Sequence, residues 1–195
     1  MGTIYCVIGK SSTGKDTIYK RLLQREDLNL KKVVPYTTRP IREKEVDGVE
    51  YHFVTERQRR NLEAEGKIIE GRSYETIYGR WDYFTVDDGQ IDLSQGDYLI
   101  IGTLEAYGML KDYYKNSPIV PIYIEVEDGV RLERALKREK KQPQPKYEEM
   151  CRRFLADCRD FSPARLAEYG VDRVFDNTDD IDATVEAIAN FIKGR

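Results

Sequence analysis

Nine consecutive residues, Gly9-Lys10-Ser11-Ser12-Thr13-Gly14-Lys15-Asp16-Thr17, have the composition and spacing of a phosphate cradle. Gly9 and Gly14 stand four residues apart and Lys15 follows at once, the pattern G-x-x-x-x-G-K. Glycines let the backbone curl until several N–H groups converge on one anion. Ser11, Ser12 and Thr13 carry the curl, and Lys15 adds a mobile positive charge for the outer phosphates. The apolar, β-favouring run Thr3-Ile4-Tyr5-Cys6-Val7-Ile8 leads in; Ile18, Leu22 and Leu23 share one face of a helical pattern leading out. That helix directs its positive end at the same spot. A Gly/Ser turn that only caps a helix has no use for Lys15, so the stretch is assigned to a nucleotide phosphate. Where the pattern has Ser or Thr, this chain has Asp16. A carboxylate is a good magnesium ligand and suits the first turn of a helix. Its charge beside phosphates requires a bound cation, which puts Asp16 on the metal side, directly or through water. Thr17, about 100° further round the helix, is the weaker candidate.

The elements that must hold this loop fit one domain spanning 1–195, large enough to bury a core. Hydrophobic residues are 40% and charged residues 34%, a globular balance, and the net charge of −3 gives no global attraction to nucleic acid or membrane. The N-terminal apolar run is about six residues with no basic stretch before it, too short for a signal peptide or a membrane span. Three scattered cysteines form no disulfide framework, and Cys151 and Cys158, seven apart on a helical pattern, read as packing rather than metal binding. The expectation is a reduced, cytoplasmic protein.

Along the chain, Lys31 to Val34 starts as a strand that Pro35 stops. Val49 to Val54 alternates as a short strand, Thr55 caps a helix to about Glu65 closed by Gly66, and 67–74 and 77–85 read as two more strands. The region 36–85 therefore reads as a small inserted sheet with one wet face. Tyr98-Leu99-Ile100-Ile101 and Ile119 to Ile124 resume a parallel-sheet rhythm, with Pro121 pushing the second run toward an edge or bulge. Helices over about 130–138 and 147–160 flank the stiff stretch Lys141-Gln142-Pro143-Gln144-Pro145-Lys146. Val174-Phe175 is a last strand, and the stripe Ile181, Val185, Ile188, Ile192 closes the domain. The sum is an α/β fold with a parallel sheet flanked by helices, an inserted β region and a basic helical hairpin.

The segment Thr37-Thr38-Arg39-Pro40-Ile41-Arg42-Glu43-Lys44-Glu45-Val46-Asp47-Gly48-Val49-Glu50-Tyr51-His52-Phe53-Val54 resembles the signature of the guanylate kinases, P-loop nucleoside monophosphate kinases. Glu70 and Tyr78-Gly79 follow at nearly that family's spacing, one residue short. The resemblance implies ATP and Mg2+ as cofactors, with core 1–35 and 86–195, an acceptor-binding insertion over 36–85 and a lid over about 134–153. It implies that Arg39, Arg42, Tyr51 and Tyr78 hold the acceptor's phosphate, and that Glu70 hydrogen-bonds the guanine edge. Arg134, Arg138 and Arg153 would close over ATP; Lys15, Arg39, Arg138 and Arg153 would be catalytic, stabilising a highly charged transition state. Two arginines three apart chelate a phosphate well. Taken alone, the same arginines read as surface charges paired with Glu43, Glu45 and Glu50.

The departures from the family are Pro35 and Arg80 where it has hydroxyl residues, and Ile101-Gly102-Thr103 where it has acids. Arg80 either donates to the guanine carbonyl oxygen or folds onto Glu70. The expected activity is phosphoryl transfer from ATP to a nucleoside monophosphate, GMP or dGMP first. The competing readings are a kinase for another phosphorylated acceptor such as ribose bisphosphate, and a non-catalytic guanylate-kinase-like binding module. The expected partners are small-molecule nucleotides.

Overall fold

A computed structural model of the chain describes residues 2–76 and 79–195. Strand β1 (Ile4–Ile8) is buried at every position, which is why it reads as an unbroken apolar run. The phosphate-type loop then delivers α1 (Lys15–Leu23), a 3-10 turn (Glu26–Leu28) and the two-residue strands β2 (Lys31–Lys32), β3 (Tyr36–Thr37) and β4 (His52–Phe53). Helix α2 (Glu56–Ala64) opens on a reciprocal capping box between Thr55 and Gln58. Strands β5 (Ile68–Thr76), β6 (Gly79–Val86) and β7 (Tyr98–Ile101) precede α3 (Leu104–Tyr113) and β8 (Ile119–Glu125). The chain ends with α4 (Asp128–Glu139), α5 (Tyr147–Asp160), α6 (Pro163–Glu168), β9 (Val174–Asp176) and α7 (Ile181–Lys193).

The main sheet is parallel throughout, in the order β2-β7-β1-β8-β9. Alternation along β1 splits the core in two. Tyr5 and Val7 pack with Ile18 and Leu22 of α1 and Val185, Ile188 and Ile192 of α7. Ile4, Cys6 and Ile8 pack on the other face with Leu104, Tyr107 and Leu110 of α3. Strand β1 is central, and its neighbours β7 and β8 both come much later in the chain. The carboxyl end of such a strand opens the crevice of an α/β sheet, and that is where residues 9–14 lie. A second sheet, β4-β3-β6-β5, mixes parallel and antiparallel pairs. It is anchored to the body by Ile69, which joins the core face that holds Tyr98 and Ile100.

Two sequence expectations need correction, and two elements had no counterpart among them. Strand β8 is interior rather than an edge, and it tolerates Pro121 because β9 pairs only with Tyr123 to Glu125, leaving that flank open at the proline. The strand over 49–54 shrinks to His52–Phe53. Val49 and Glu50 donate their N–H groups back to Val46, and Asp47 accepts from the Phe53 amide, so turn chemistry takes the first residues. Helix α6 and the 3-10 turn gave no periodic signal in the sequence.

The loop's shape is set by backbone crowding. A Cβ on Gly9 would lie 2.5 Å from the carbonyl oxygen of Ile124, a strand group that cannot move aside. Gly9→Ala should therefore lower unfolding free energy by about 1–3 kcal/mol, the usual range for overpacking. A urea midpoint unchanged from the parent would contradict this account of the loop.

Candidate active site

The first cavity wall is the loop itself. Gly14, at φ +84°, ends it in the left-handed region, and a Cβ there would strike Asn177 Nδ2 at 2.6 Å. That same Nδ2 donates to the Thr13 carbonyl at 2.8 Å, and Thr13 Oγ1 donates to the Lys10 carbonyl at 2.9 Å. The curl is therefore locked from both sides. Among the described residues no side chain caps α1, so its first N–H groups face the loop, and the buried Ser12 hydroxyl has no partner. Lys15 reaches back to the Lys10 carbonyl at 3.5 Å. Burial pushes its ammonium below the usual range; Asp16 and Asp157 pull it up, while Arg153 and Arg72 push it further down. Four charges from three parts of the chain thus meet around Lys15. Asp16 and Thr17 are exposed, and Asp16 lines the second cavity described below.

The donor side is a cavity of about 260 Å³ between α4 and α5, with Ser11 at one end. Arg138 and Arg153, expected to close over ATP, both line it. Arg134 instead donates to the carbonyls of Asn177 and Thr178, at 3.0 and 2.7 Å, next to the loop's Asn177 brace. Two residues that sequence reasoning missed complete this side. Arg131 is fully buried, stacked 3.8 Å over the Phe154 ring and paired with Asp128 at 3.0 Å and Asp157 at 3.4 Å. Asp157 Oδ2 accepts from the Ser11 amide at 2.8 Å and from the Ser11 hydroxyl. Nothing in the basic pattern around Arg152, Arg153 and Arg159 distinguishes that carboxylate beforehand.

The acceptor side is a second cavity, also about 260 Å³, bounded by Asp16, Pro35, Tyr51, Glu70, Arg72, Tyr83 and Thr85 among others. Glu70 is buried; Oε1 accepts from Thr85 Oγ1 at 2.7 Å, and Oε2 has no partner among the described residues. Burial raises its carboxyl above the usual range, against the Thr85 hydrogen bond and the Arg72 charge. Tyr51 lines the cavity and packs edge-on against Tyr83. Arg39 is only 4% exposed and is gripped bidentately by Glu45 at 2.8 and 3.0 Å, between the Tyr51 and Phe53 rings. The pairing with Glu45 is the surface-charge alternative, realised in the interior. Arg42 is exposed outside the cavity wall, its backbone N–H held by Glu45. Arg80 is a correction: it folds onto Asp82 at 3.0 Å and Ser73 at 2.8 Å, far along β6 from Glu70, because Asp82 is the nearest buried carboxylate on its face. Tyr78 lies outside the described residues. Arg72 was missed, although its place two residues beyond Glu70 in an alternating strand puts both on one face.

A phosphate-type loop at the centre of a parallel sheet, between a cation-lined donor cavity and a carboxylate-bearing acceptor cavity, defines a P-loop fold of the nucleotide kinase type. The family model for guanylate kinase matches residues 1–88. The chain is 30% identical to a guanylate kinase of Clostridium perfringens over 190 residues, 96% of this chain and 82% of that protein. It is 35% identical to one of Neisseria gonorrhoeae over 107 residues, 55% of this chain and 50% of that protein. The match thus spans about half the length of the Neisseria relative. The crystal structure of guanylate kinase from Anaplasma phagocytophilum superposes with a TM-score of 0.69 at 20% identity, covering 99% of this chain and 85% of that one, a likeness of fold. The chain belongs to the guanylate kinase family. Among the described residues no helix is long and apolar enough to cross a membrane.

The Asp157 carboxylate sits on a loop amide as an anionic ligand's oxygen would. Asp157→Asn keeps an acceptor for Ser11 but removes the charge. It should tighten inorganic tripolyphosphate binding about five-fold, the worth of roughly 1 kcal/mol. Calorimetric titration decides it, and equal or weaker affinity would mean Asp157 does not compete for the loop.

Proposed function

We propose that the chain transfers the γ-phosphoryl of ATP to a nucleoside monophosphate, with GMP or dGMP preferred. The observation that carries this reading is Glu70: a buried carboxylate in a cavity beside the loop, with one oxygen unpartnered. Guanine offers two adjacent N–H donors to such a group. Adenine presents an acceptor at one of those positions, leaving a buried anion unpaired, which is costly. On the donor side Arg138 and Arg153 supply preorganised cations over the loop, and Lys15 meets the outer phosphates. Lid closure over both cavities excludes water, which any such kinase requires.

Asp16 suits magnesium by its donor chemistry, being an exposed carboxylate at the cavity wall. Among the described residues no three metal-binding side chains cluster, so the ion's other ligands would be water and substrate phosphates, the usual magnesium arrangement. When bound, the ion neutralises charge on the phosphates. Asp16→Ala should raise the magnesium concentration needed for half-maximal rate about ten-fold, with metal-free nucleotide binding little changed, whereas a flat magnesium titration would reduce Asp16 to a helix-start residue. Small-molecule nucleotides are the proposed partners, and a reduced cytoplasmic setting is consistent with three free cysteines.

ADP release measured across GMP, dGMP, AMP, CMP, UMP and a ribose bisphosphate tests the assignment. Glu70→Gln should cut GMP turnover about 100-fold while leaving the KM for ATP within about two-fold. Because base recognition needs the ionised carboxylate, the KM for GMP should rise as pH falls through a value above the ordinary carboxylate range. The stability sign is opposite: a raised folded pKa favours the fold at low pH, and that contribution is lost as pH rises through it. Equal rates with all bases, or activity with the sugar phosphate alone, would overturn the GMP assignment; no turnover with any acceptor would favour a binding module.

A further inference from the structure

We propose that Arg72, a residue outside the signature segment, receives the phosphate of the acceptor. Arg72 pairs with Tyr83 across the β5–β6 ladder and shares its face with Glu70 two residues away, about 7 Å along the strand. Both side chains line the acceptor cavity. Among the described residues, none makes a hydrogen bond or ion pair with the Arg72 side chain. Of the other arginines, Arg39 is spent on Glu45 and Arg80 on Asp82, while Arg42 is exposed and does not line the cavity. Arg72 is not spent on Glu70 either, whose free oxygen remains without a partner.

A half-buried guanidinium without a hydrogen-bonded counter-charge is costly to keep, and its cavity is the place where an anion would relieve it. Arg72 lines the same cavity as Glu70 and as Asp16, the residue after Lys15, and its charge is felt by Lys15, Glu70 and Tyr51. Resting on the reading above, a monophosphate with its base on Glu70 and its reacting end toward Lys15 carries its phosphate through that position. A planar guanidinium holds a phosphate with two parallel N–H···O bonds. It would thus do here what Arg39, locked by Glu45, is not free to do in the ligand-free chain.

The test compares GMP with guanosine, which lacks the phosphate, by calorimetry on wild type, Arg72→Met and Arg72→Lys, alongside steady-state kinetics. Loss of a charge-assisted bidentate contact should weaken GMP about 10–100-fold in Arg72→Met. Guanosine should stay within about two-fold, and Arg72→Lys should recover part of the loss. Equal losses for GMP and guanosine would overturn the assignment by making Arg72 a base or packing residue. Rescue of Arg72→Met at raised pH would overturn it by making Arg72 a positioning residue that keeps Glu70 ionised. If Arg72→Met does not fold, Arg72→Lys decides, since a lysine variant whose GMP-to-guanosine affinity ratio falls below the wild-type ratio supports the guanidinium fork and an unchanged ratio overturns it. A wild type that phosphorylates GMP and an Arg72→Met variant with unchanged kinetics overturn this assignment alone. A wild type that binds GMP no better than guanosine overturns it together with the kinase reading.

Discussion

The arrangement depends on one electrostatic constraint: a curled loop whose N–H groups, helix end and Lys15 concentrate positive charge at the carboxyl end of β1. Backbone polar groups and a buried ammonium in such a place require an anion or water. The chain supplies part of that anion itself, from α5. Asp157 accepts from Ser11 and is backed by the buried Arg131, which couples α4 and α5 to the loop through one carboxylate. The packing of α4 and α5 and the loop's electrostatics therefore meet at one carboxylate. Any ligand that carries its own oxygens into the loop meets Asp157 first.

The acceptor side follows the opposite logic. There the buried anion, Glu70, is left half satisfied among the described residues, and Arg39 of the signature segment is already held by Glu45. Thr85 holds Glu70 from below and so replaces some of the fixing that the lost hydroxyl positions would have given. Pro35 lines the cavity without offering a donor, and Arg80 has left it for Asp82. Among the described residues the cavity wall keeps a half-satisfied carboxylate, Glu70, and a guanidinium without a hydrogen-bond partner, Arg72. Recognition concentrated in so few groups makes each of them matter more, since unpaired buried charge is expensive.

Three free cysteines occupy three different settings, and none belongs to the chemistry. Cys6 packs in the core beneath β7, Cys151 is exposed, and Cys158 Sγ lies 3.2 Å from the Arg131 guanidinium. Cys158 thus helps enclose the buried arginine rather than pairing with Cys151. The small sheet is likewise tied to the body by an ordinary packing contact, Ile69, which sits one residue from Glu70 and fixes where that carboxylate points along β5.

Sequence by itself determined whatever depends on local spacing. The glycines and Lys15 mark the loop, because only that backbone and that charge make a phosphate cradle. The apolar runs mark a parallel sheet, because strands buried on both faces cannot alternate. Thr55 and Gly66 bound α2, because caps are chemical signals one residue wide. Tertiary structure alone decided which charges meet. Glu45 lies six residues from Arg39 and claims it, whereas Asp157 lies 146 residues from Ser11 and claims it just as firmly. Strand order also lay beyond local reading, which is how Pro121 came to sit in an interior strand. A charged side chain's role is set by the nearest opposite charge in space, and spacing along the chain carries that information only within a turn, a helix face or a strand face.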